Sequence, residues 1–382
     1  MSLTQTEYSR YSRHILLQEV GKDGQLALKK SKVLVVGAGG LGCPVLLYLS
    51  AAGVGTIGII DGDSVQLSNL QRQTIYTVPD IGKPKSSTAA NRLQERNPLI
   101  NYEIYDASLT PTNASEIILK YDIIIDCTDN FAARYLINDA CVLFNKPFIH
   151  GSLHKFNGQV AVFNFQYQNG IRSSTYRCMF PTPPLLGGIQ NCSEIGVLGV
   201  LPGIIGTLQA TEAIKIILGI GVPLVNSLLI VNALTMKFDT IDVLRNELNW
   251  GKIPHTENEL STMDYDSFCG VKNANHIKEL TSTDLLIELN NKENIQIIDI
   301  RNDDEFPNLE TLLPLPYIPR RIPLIRLIDS IESINSTDKT IIVCQSGSRS
   351  KSAIQQLQNE YGYSNLYSLK GGILDLLTVS TQ

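Results

Sequence analysis

Five short runs of this chain combine residue types that handle phosphate or sulfur. Gly37, Gly39 and Gly42 stand at G-x-G-x-x-G spacing in G-A-G-G-L-G, and Asp61 follows at the end of the next apolar run. Such glycines let a backbone turn bring its N–H groups and a helix N-terminus against a phosphate, and the acid suits a ribose. The run S-N-L-Q-R-Q gathers Ser68, Asn69, Leu70, Gln71, Arg72 and Gln73, a density of polar groups that reads as a ligand-reading loop. G-K-P-K puts Lys83 and Lys85 ahead of a helix, where a cation is more comfortable beside an anion such as phosphate. In I-I-I-D-C-T-D-N, Asp126 and Asp129 are paired acids of the kind that suit Mg²⁺, although Asp129 also reads as a helix N-cap. The last run, Cys344-Gln345-Ser346-Gly347-Ser348-Arg349, sets a thiol on a turn before a helix. Backbone N–H groups there favour a thiolate, and the cradle suits a persulfide or a phosphate. The ring from Cys344 to Arg349 is tighter than the phosphatase pattern, which favours sulfur.

Elements must hold these residues in place. Val33 to Val36 reads as a buried parallel strand, Leu41 to Ala52 as a helix, and Thr56 to Ile60 as the next strand. Asn101 to Tyr105 and Asp122 to Ile125 continue the sheet, and a helix from Ala132 to Phe144 follows the acids. From Pro147 the pattern suggests a mixed or antiparallel continuation in Pro147 to Ser152, Gln159 to Phe165, Leu228 to Val231 and Lys237 to Val243. Gln166 to Gly203 is a long Pro- and Gly-rich loop carrying Cys178 and Cys192, and the helix Ile204 to Leu218 packs it down. Glu7 to Val20 forms a helix with Tyr8, Tyr11, Ile15 and Leu16 on one stripe and Arg10 and Arg13 one turn apart, a packing helix with a solvated basic face on pattern alone. A second α/β domain has a strand at Ile295 to Ile300, a helix capped by Ser282-Thr283-Asp284, and the strand Thr340 to Val343 delivering Cys344. The division is residues 1–243, a polar linker 244–275, and residues 276–382.

A chain of 382 residues exceeds the usual size of one core, so two domains are expected. Net charge is −5 with signs well mixed, which advertises neither nucleic acid nor an anionic membrane. No leader or transit pattern stands at the start, and the 7 cysteines lack regular spacing, which points to a reducing compartment. Cys43, Cys127 and Cys141 sit on packed elements; Cys192, among Asn191, Ser193 and Glu194, suits packing or chemistry equally.

G-A-G-G-L-G, S-N-L-Q-R-Q, G-K-P-K and D-C-T-D-N, in that order, resemble the ThiF/MoeB family of ubiquitin-activating-type adenylyltransferases over Thr6 to Val243. C-Q-S-G-S-R, D-I-R and L-K-G-G-I resemble a rhodanese domain. The resemblance implies a Rossmann-like ATP-binding domain with a mixed sheet and a small α/β rhodanese-like domain. It implies that Gly40, Asp61 and the loop Ser68 to Arg72 hold ATP, that Lys85 contacts phosphate, and that Asp129 holds Mg²⁺ with Asn130 beside the nucleotide. Arg13 would reach the ATP of the other subunit in a homodimer. The implied substrate is the C-terminal glycine of a ubiquitin-like sulfur carrier ending in Gly-Gly, of the molybdopterin-synthase or the thiazole-pathway type. Cys192 matches a loop cysteine that would form a thioester with the carrier. Cys344 would carry sulfane sulfur from a donor such as a cysteine desulfurase, leaving a thiocarboxylate. A nicotinamide oxidoreductase and a non-catalytic scaffold are the alternatives.

Two departures from the family are visible. The family's two C-x-x-C pairs are reduced to Thr175-Tyr176-Arg177-Cys178 and to R-N-E-L-N-W-G, which has no cysteine; one thiolate cannot close a tetrahedral site, so no structural zinc is expected. Glu305 to Leu327 lacks the usual His-Ile-Pro-Gly element, so a reduced sulfurtransferase is expected. Abundant Ile and Asn hint at a bacterial or organellar origin, and the expected location is the cytoplasm or plastid stroma.

Overall fold

A computed structural model describes residues 2–183, 196–269, 277–291, 294–314 and 316–380. Two compact units separate after Tyr265. The first is built on an eight-stranded sheet of β1 (Lys32–Val36), β2 (Thr56–Ile60), β3 (Asn101–Tyr105), β4 (Ile123–Asp126), β5 (Phe148–His154), β6 (Asn157–Phe163), β7 (Ser227–Asn232) and β8 (Lys237–Asp242), ordered β3-β2-β1-β4-β5-β6-β7-β8. Pairing is parallel from β3 to β5 and antiparallel from β5 to β8. The parallel strands are short runs of Val and Ile because helices cover them: β1 is buried from Val33 to Val36 and β4 throughout. Leu46 and Leu49 of the helix Gly42–Ala52 and Leu201, Ile205, Ala210 and Ala213 of the helix Val200–Leu218 are buried in the same core. The latter helix starts earlier than the expected Ile204, since Pro202 falls in its first turn and costs no intrahelical hydrogen bond.

The N-terminal segment differs from the single helix expected. It breaks into Gln5–Arg10, closed by a Thr4–Glu7 capping box, Ser12–Ile15 and Gly21–Lys30. Tyr11 at the first break is buried and its hydroxyl accepts Asn97 Nδ2–H at 3.0 Å, whereas Leu16 is 71% exposed, so the apolar stripe does not face the core as one surface. Arg10 donates to the carbonyl of Arg96 at 3.0 Å, which satisfies the end of the helix Lys85–Arg96.

The expected linker is also corrected over its first part. Residues 244–265 pack onto the first unit through Ile253, Leu260 and Tyr265, all buried. Tyr265 Oη donates to Asp139 at 2.9 Å, joining the fully buried fork in which Arg177 Nε and Nη2 meet the same carboxylate at 2.7 Å each. A polar average concealed three well-spaced apolar anchors. Nearby, Cys178 Sγ accepts N–H from Asn246 at 3.3 Å and from Thr175 at 3.4 Å, and Arg245 stacks on Trp250 at 4.3 Å. The Asn246–Cys178 contact ties the loop after β6 to the chain after β8. Residues 270–276 lie outside the described residues.

The second unit is a five-stranded parallel sheet, ordered β11-β10-β12-β13-β9, of β9 (Lys278–Leu280), β10 (Ile295–Asp299), β11 (Arg320–Arg321), β12 (Lys339–Val343) and β13 (Leu366–Leu369). Apolar clusters cover both faces, one around Leu285, Leu289 and Ile373, the other around Ile354 and Leu357. The helix Ser282–Asn290 is capped by Thr281, whose hydroxyl accepts Asp284 N–H, rather than by Ser282-Thr283-Asp284.

Candidate active sites

In the first unit β1 delivers the chain between β2 and β4, where the strand order reverses and open sheets keep their ligand crevice. Gly42 abuts the carbonyl oxygen of Gly37, leaving no room for a β-carbon, so the turn closes only with glycine. Asp61 accepts Ala38 N–H at 2.7 Å and Asp63 N–H at 2.8 Å. A carboxylate offers about four lone-pair sites, so capacity for a ribose hydroxyl remains. Burial pushes the Asp61 carboxyl up, opposed by the charge of Lys85. Tyr76 Oη lies 2.7 Å from the Ala38 carbonyl and 3.1 Å from that of Lys85, tying the glycine turn to the helix Lys85–Arg96. Lys85 is 6% exposed, and its Nζ meets Asp63 Oδ2 at 2.8 Å. An exposed carboxylate of the same chain thus stands beside this lysine at the crevice edge. Sequence reasoning passed over Asp63, although D-G-D was the available signal.

The other runs converge on the same edge. Gly40 packs against Pro202 and the stem of Arg72, and Gly37 against the carbonyl of Cys127. Arg72 Nη1 donates to the Ser68 carbonyl at 3.2 Å, and Asn69 Oδ1 accepts Gln66 N–H at 3.2 Å, so the loop from Ser68 through Leu70 and Gln71 is ordered by its own groups. Gly39 lies in the turn, partly exposed.

Asp126 is not the metal-binding partner of Asp129 that the sequence suggests. It closes β4, fully buried, and its oxygens accept Thr128 N–H at 3.0 Å, Thr128 Oγ1–H at 2.6 Å, Arg134 Nε–H at 3.3 Å and His150 Nδ1 at 3.0 Å. Burial works to raise its pKa, but the His150 hydrogen bond and the Arg134 charge outweigh it and hold the carboxyl below its usual range. Burial in turn lowers His150, against the pull of Asp126. The imidazole is thus neutral, donating from Nδ1, and Nε2 has no partner among the described residues. A histidine depressed on folding gives stability that is fully present above its unfolded value of 6.5 and lost as pH falls from there through the lower folded value. His150→Gln is expected to flatten the loss of unfolding free energy on acidification below 6.5, measured by urea titration across pH.

Asp129 is exposed just past this network. The cap of the helix Phe131–Leu143 is Asn130, whose Oδ1 accepts Ala133 N–H at 2.9 Å, which leaves the Asp129 carboxylate uncommitted to the helix. One exposed carboxylate fits an Mg²⁺ that arrives with its phosphates and keeps much of its water; among the described residues no group of three or more His, Cys, Asp or Glu side chains could hold a metal. Arg13 lies exposed on the helix Ser12–Ile15, outside this convergence. Cys192 lies outside the described residues. Cys43, Cys127 and Cys141 are buried, and burial pushes Cys43 up to about 12 and the other two well up.

The second unit presents one sulfur in a built cradle. β12 carries Cys344 fully buried onto the turn, and its Sγ accepts N–H from Gly347 at 3.2 Å and from Ser350 at 3.4 Å, with Ser350 Oγ at 3.5 Å. Gly347 holds φ +87°, a left-handed conformation that aims its N–H at the sulfur and opens the helix Ser348–Tyr361. Ser350 is fixed by Ser368 Oγ at 2.7 Å. Arg349 forms a fork with Glu305, Nη1 to Oε1 at 2.7 Å and Nη2 to Oε2 at 2.6 Å. No sequence pattern pointed to Glu305. Arg301, fully buried, meets Asp299 at 2.8 Å and Gln345 Oε1 at 3.3 Å, bracing the loop from β10.

Residues 11–250 match the profile of the ThiF family. The chain belongs to the ThiF family. In this ThiF protein residues 282–377 match the rhodanese-like domain, so the C-terminal unit is of that kind. It is 48% identical over 274 residues to the sulfur carrier protein adenylyltransferase of Thermus thermophilus, covering 71% of this chain and all of that protein. Along 98% of its length it is 39% identical to the probable adenylyltransferase/sulfurtransferase MoeZ of Mycobacterium tuberculosis, covering 93% of it. MOCS3 of Drosophila grimshawi, an adenylyltransferase and sulfurtransferase, is 36% identical across 97% of this chain and 84% of its own. The fold is shared with Escherichia coli MccB, in its structure with MccA-N7isoASN, at a TM-score of 0.55 and 22% identity, covering 65% of this chain and 74% of that one.

Proposed function

We propose that this ThiF protein uses ATP to adenylate the C-terminal glycine of a ubiquitin-like sulfur-carrier protein and then installs sulfur there as a thiocarboxylate. The observation that carries the proposal is a single chain holding both a glycine turn braced by Asp61 and a cysteine sulfur ringed by N–H donors. Its alignment along 98% of its length with an adenylyltransferase/sulfurtransferase supports the same pairing of activities.

The carrier's terminal carboxylate oxygen attacks the α-phosphorus of ATP, the bond to the β-phosphate bridge breaks, and pyrophosphate leaves. Lys85 and Arg72 meet the charge that spreads over the phosphate oxygens, and Asp61 holds the ribose. Asp129 would hold Mg²⁺; a bound Mg²⁺ supplies further neutralisation of phosphate charge. Asn130 lines the same edge. Arg13 is proposed to complete the clamp from the other subunit of a homodimer. Cys192 is proposed to take the acyl group as a thioester, with AMP leaving. The terminal sulfur of a Cys344 persulfide then displaces that thiol to give an acyl disulfide; a second thiol attacks the Cys344 sulfur, the thiocarboxylate leaves, and a further reducing thiol opens the mixed disulfide left on Cys344. Arg349 bounds the cradle, and a cysteine desulfurase is the proposed source of sulfur. We assign the carrier to the molybdopterin-synthase small-subunit type, with the thiazole-pathway carrier as the competitor, and the protein to the cytoplasm or plastid stroma.

Incubation with ATP and each carrier, followed by intact mass, tests this. One carrier is expected to gain an adenylyl group and, with a sulfur donor, to exchange one oxygen for sulfur. Failure of both Gly-Gly carriers to change mass would exclude the proposed substrate.

A further inference from the structure

The Arg349–Glu305 fork has no task in the relay described above. The arginine side chain is 6% exposed and that of Glu305 25%. Glu305 is itself held: Asn302 N–H donates to Oε1 at 2.8 Å, and Arg321 Nη2 donates to the Glu305 carbonyl at 2.9 Å. The guanidinium keeps this carboxyl below the usual carboxylate range. The neighbouring guanidinium groups are compensated too, Arg301 and Arg321 both by Asp299, at 2.8 and 3.2 Å. Next in the chain, Phe306 is 73% exposed.

From this geometry we propose that Glu305 is a positioning residue that sets the sulfur-donor specificity of Cys344. By holding the cation of the cysteine loop in a two-oxygen fork, it leaves no open guanidinium for a small dianionic donor such as thiosulfate, and so reserves the site for a persulfide carried on a protein thiol. The proposal rests on the sulfurtransferase reading of Cys344. With a protein persulfide, the Cys344 thiolate attacks the outer sulfur, the donor's S–S bond breaks, the outer sulfur crosses with its proton, and the donor leaves as a thiolate. With thiosulfate the leaving group is sulfite, whose two negative charges require a cation at the rim. An exposed Phe306 beside the fork suits contact with a protein rather than a small oxyanion.

The test compares wild-type full-length protein with Glu305→Gln and Glu305→Asp. Two probes are used: thiosulfate with cyanide as acceptor, and a cysteine desulfurase preloaded with persulfide. Glu305→Gln is expected to lower KM for thiosulfate about tenfold with kcat little changed, and that gain should shrink as salt is raised. Transfer from the desulfurase should be unaffected, and Glu305→Asp should keep the wild-type KM. An unchanged thiosulfate KM in Glu305→Gln, or an equal fall with both donors, would overturn the proposal. Should Glu305→Gln not fold, salt dependence in the wild type decides: a flat thiosulfate KM supports an occupied arginine, and a steep rise overturns it. Absence of transfer from either donor in the wild type would instead refute the reading of Cys344.

Discussion

Cys344→Ala is expected to abolish thiocarboxylate formation on the carrier, by about three orders of magnitude or more, while ATP–pyrophosphate exchange continues near the wild-type rate. The separation follows from where the groups stand. The sulfur that Gly347 and Ser350 solvate belongs to the rhodanese-like unit, and the glycine turn, Asp61 and Lys85 belong to the ThiF unit. Alanine removes the sulfur and leaves the cradle intact, because Ser350 stays tied to Ser368 and to the Gly347 carbonyl without it. Carrier mass and labelled-pyrophosphate exchange, measured on one preparation, read the two activities. If thiocarboxylate forms at the wild-type rate, Cys344 carries no sulfur in this reaction. If exchange collapses in parallel, the two units are not independent in chemistry.

What the sequence disclosed and what it withheld divide along sequence separation. The glycine turn, the strand before it and Cys344 on its loop are local: each is a strand, a turn and a helix within a few consecutive residues, and the side-chain types needed at the turn are few. The partners that tune these sites come from elsewhere. His150, on β5, takes the carboxylate of Asp126 on β4 and so removes it from metal binding. Glu305, which occupies Arg349, lies 44 residues before it. Pattern reading gives an acid at a strand end an open role because it cannot see the strand beside it; the burial of Asp126 is a property of sheet order. The same cause explains the N-terminal segment, whose helical stripe was real as a pattern but was interrupted when Tyr11 found Asn97. It also explains the segment 244–265, where Tyr265 is held by Asp139, a residue of the helix Phe131–Leu143.

Lys85→Met is expected to lower ATP–pyrophosphate exchange by about two to three orders of magnitude with little change in melting temperature. The loss is large because this ammonium sits at the first position of a helix, its charge acting on Asp61, and Tyr76 ties its backbone to the glycine turn. Fold stability is spared for a physical reason. The partner left behind, Asp63, has a side chain 76% exposed, so water takes over its charge and the pair is worth no more than about 1 kcal/mol. The backbone contacts that seat the residue do not involve the ammonium: Lys85 N–H donates to the Asp63 carbonyl at 2.9 Å, and Tyr76 remains near the Lys85 carbonyl. Methionine fills the buried stem with a side chain of similar length and no charge. Asp63→Asn separates the ion pair from the ammonium itself: it keeps the ammonium and should retain most of the exchange activity. If Lys85→Met retained activity as well, the phosphate would be held by other groups, and Lys85 would be only the cation that steadies Asp63 at the mouth of the crevice.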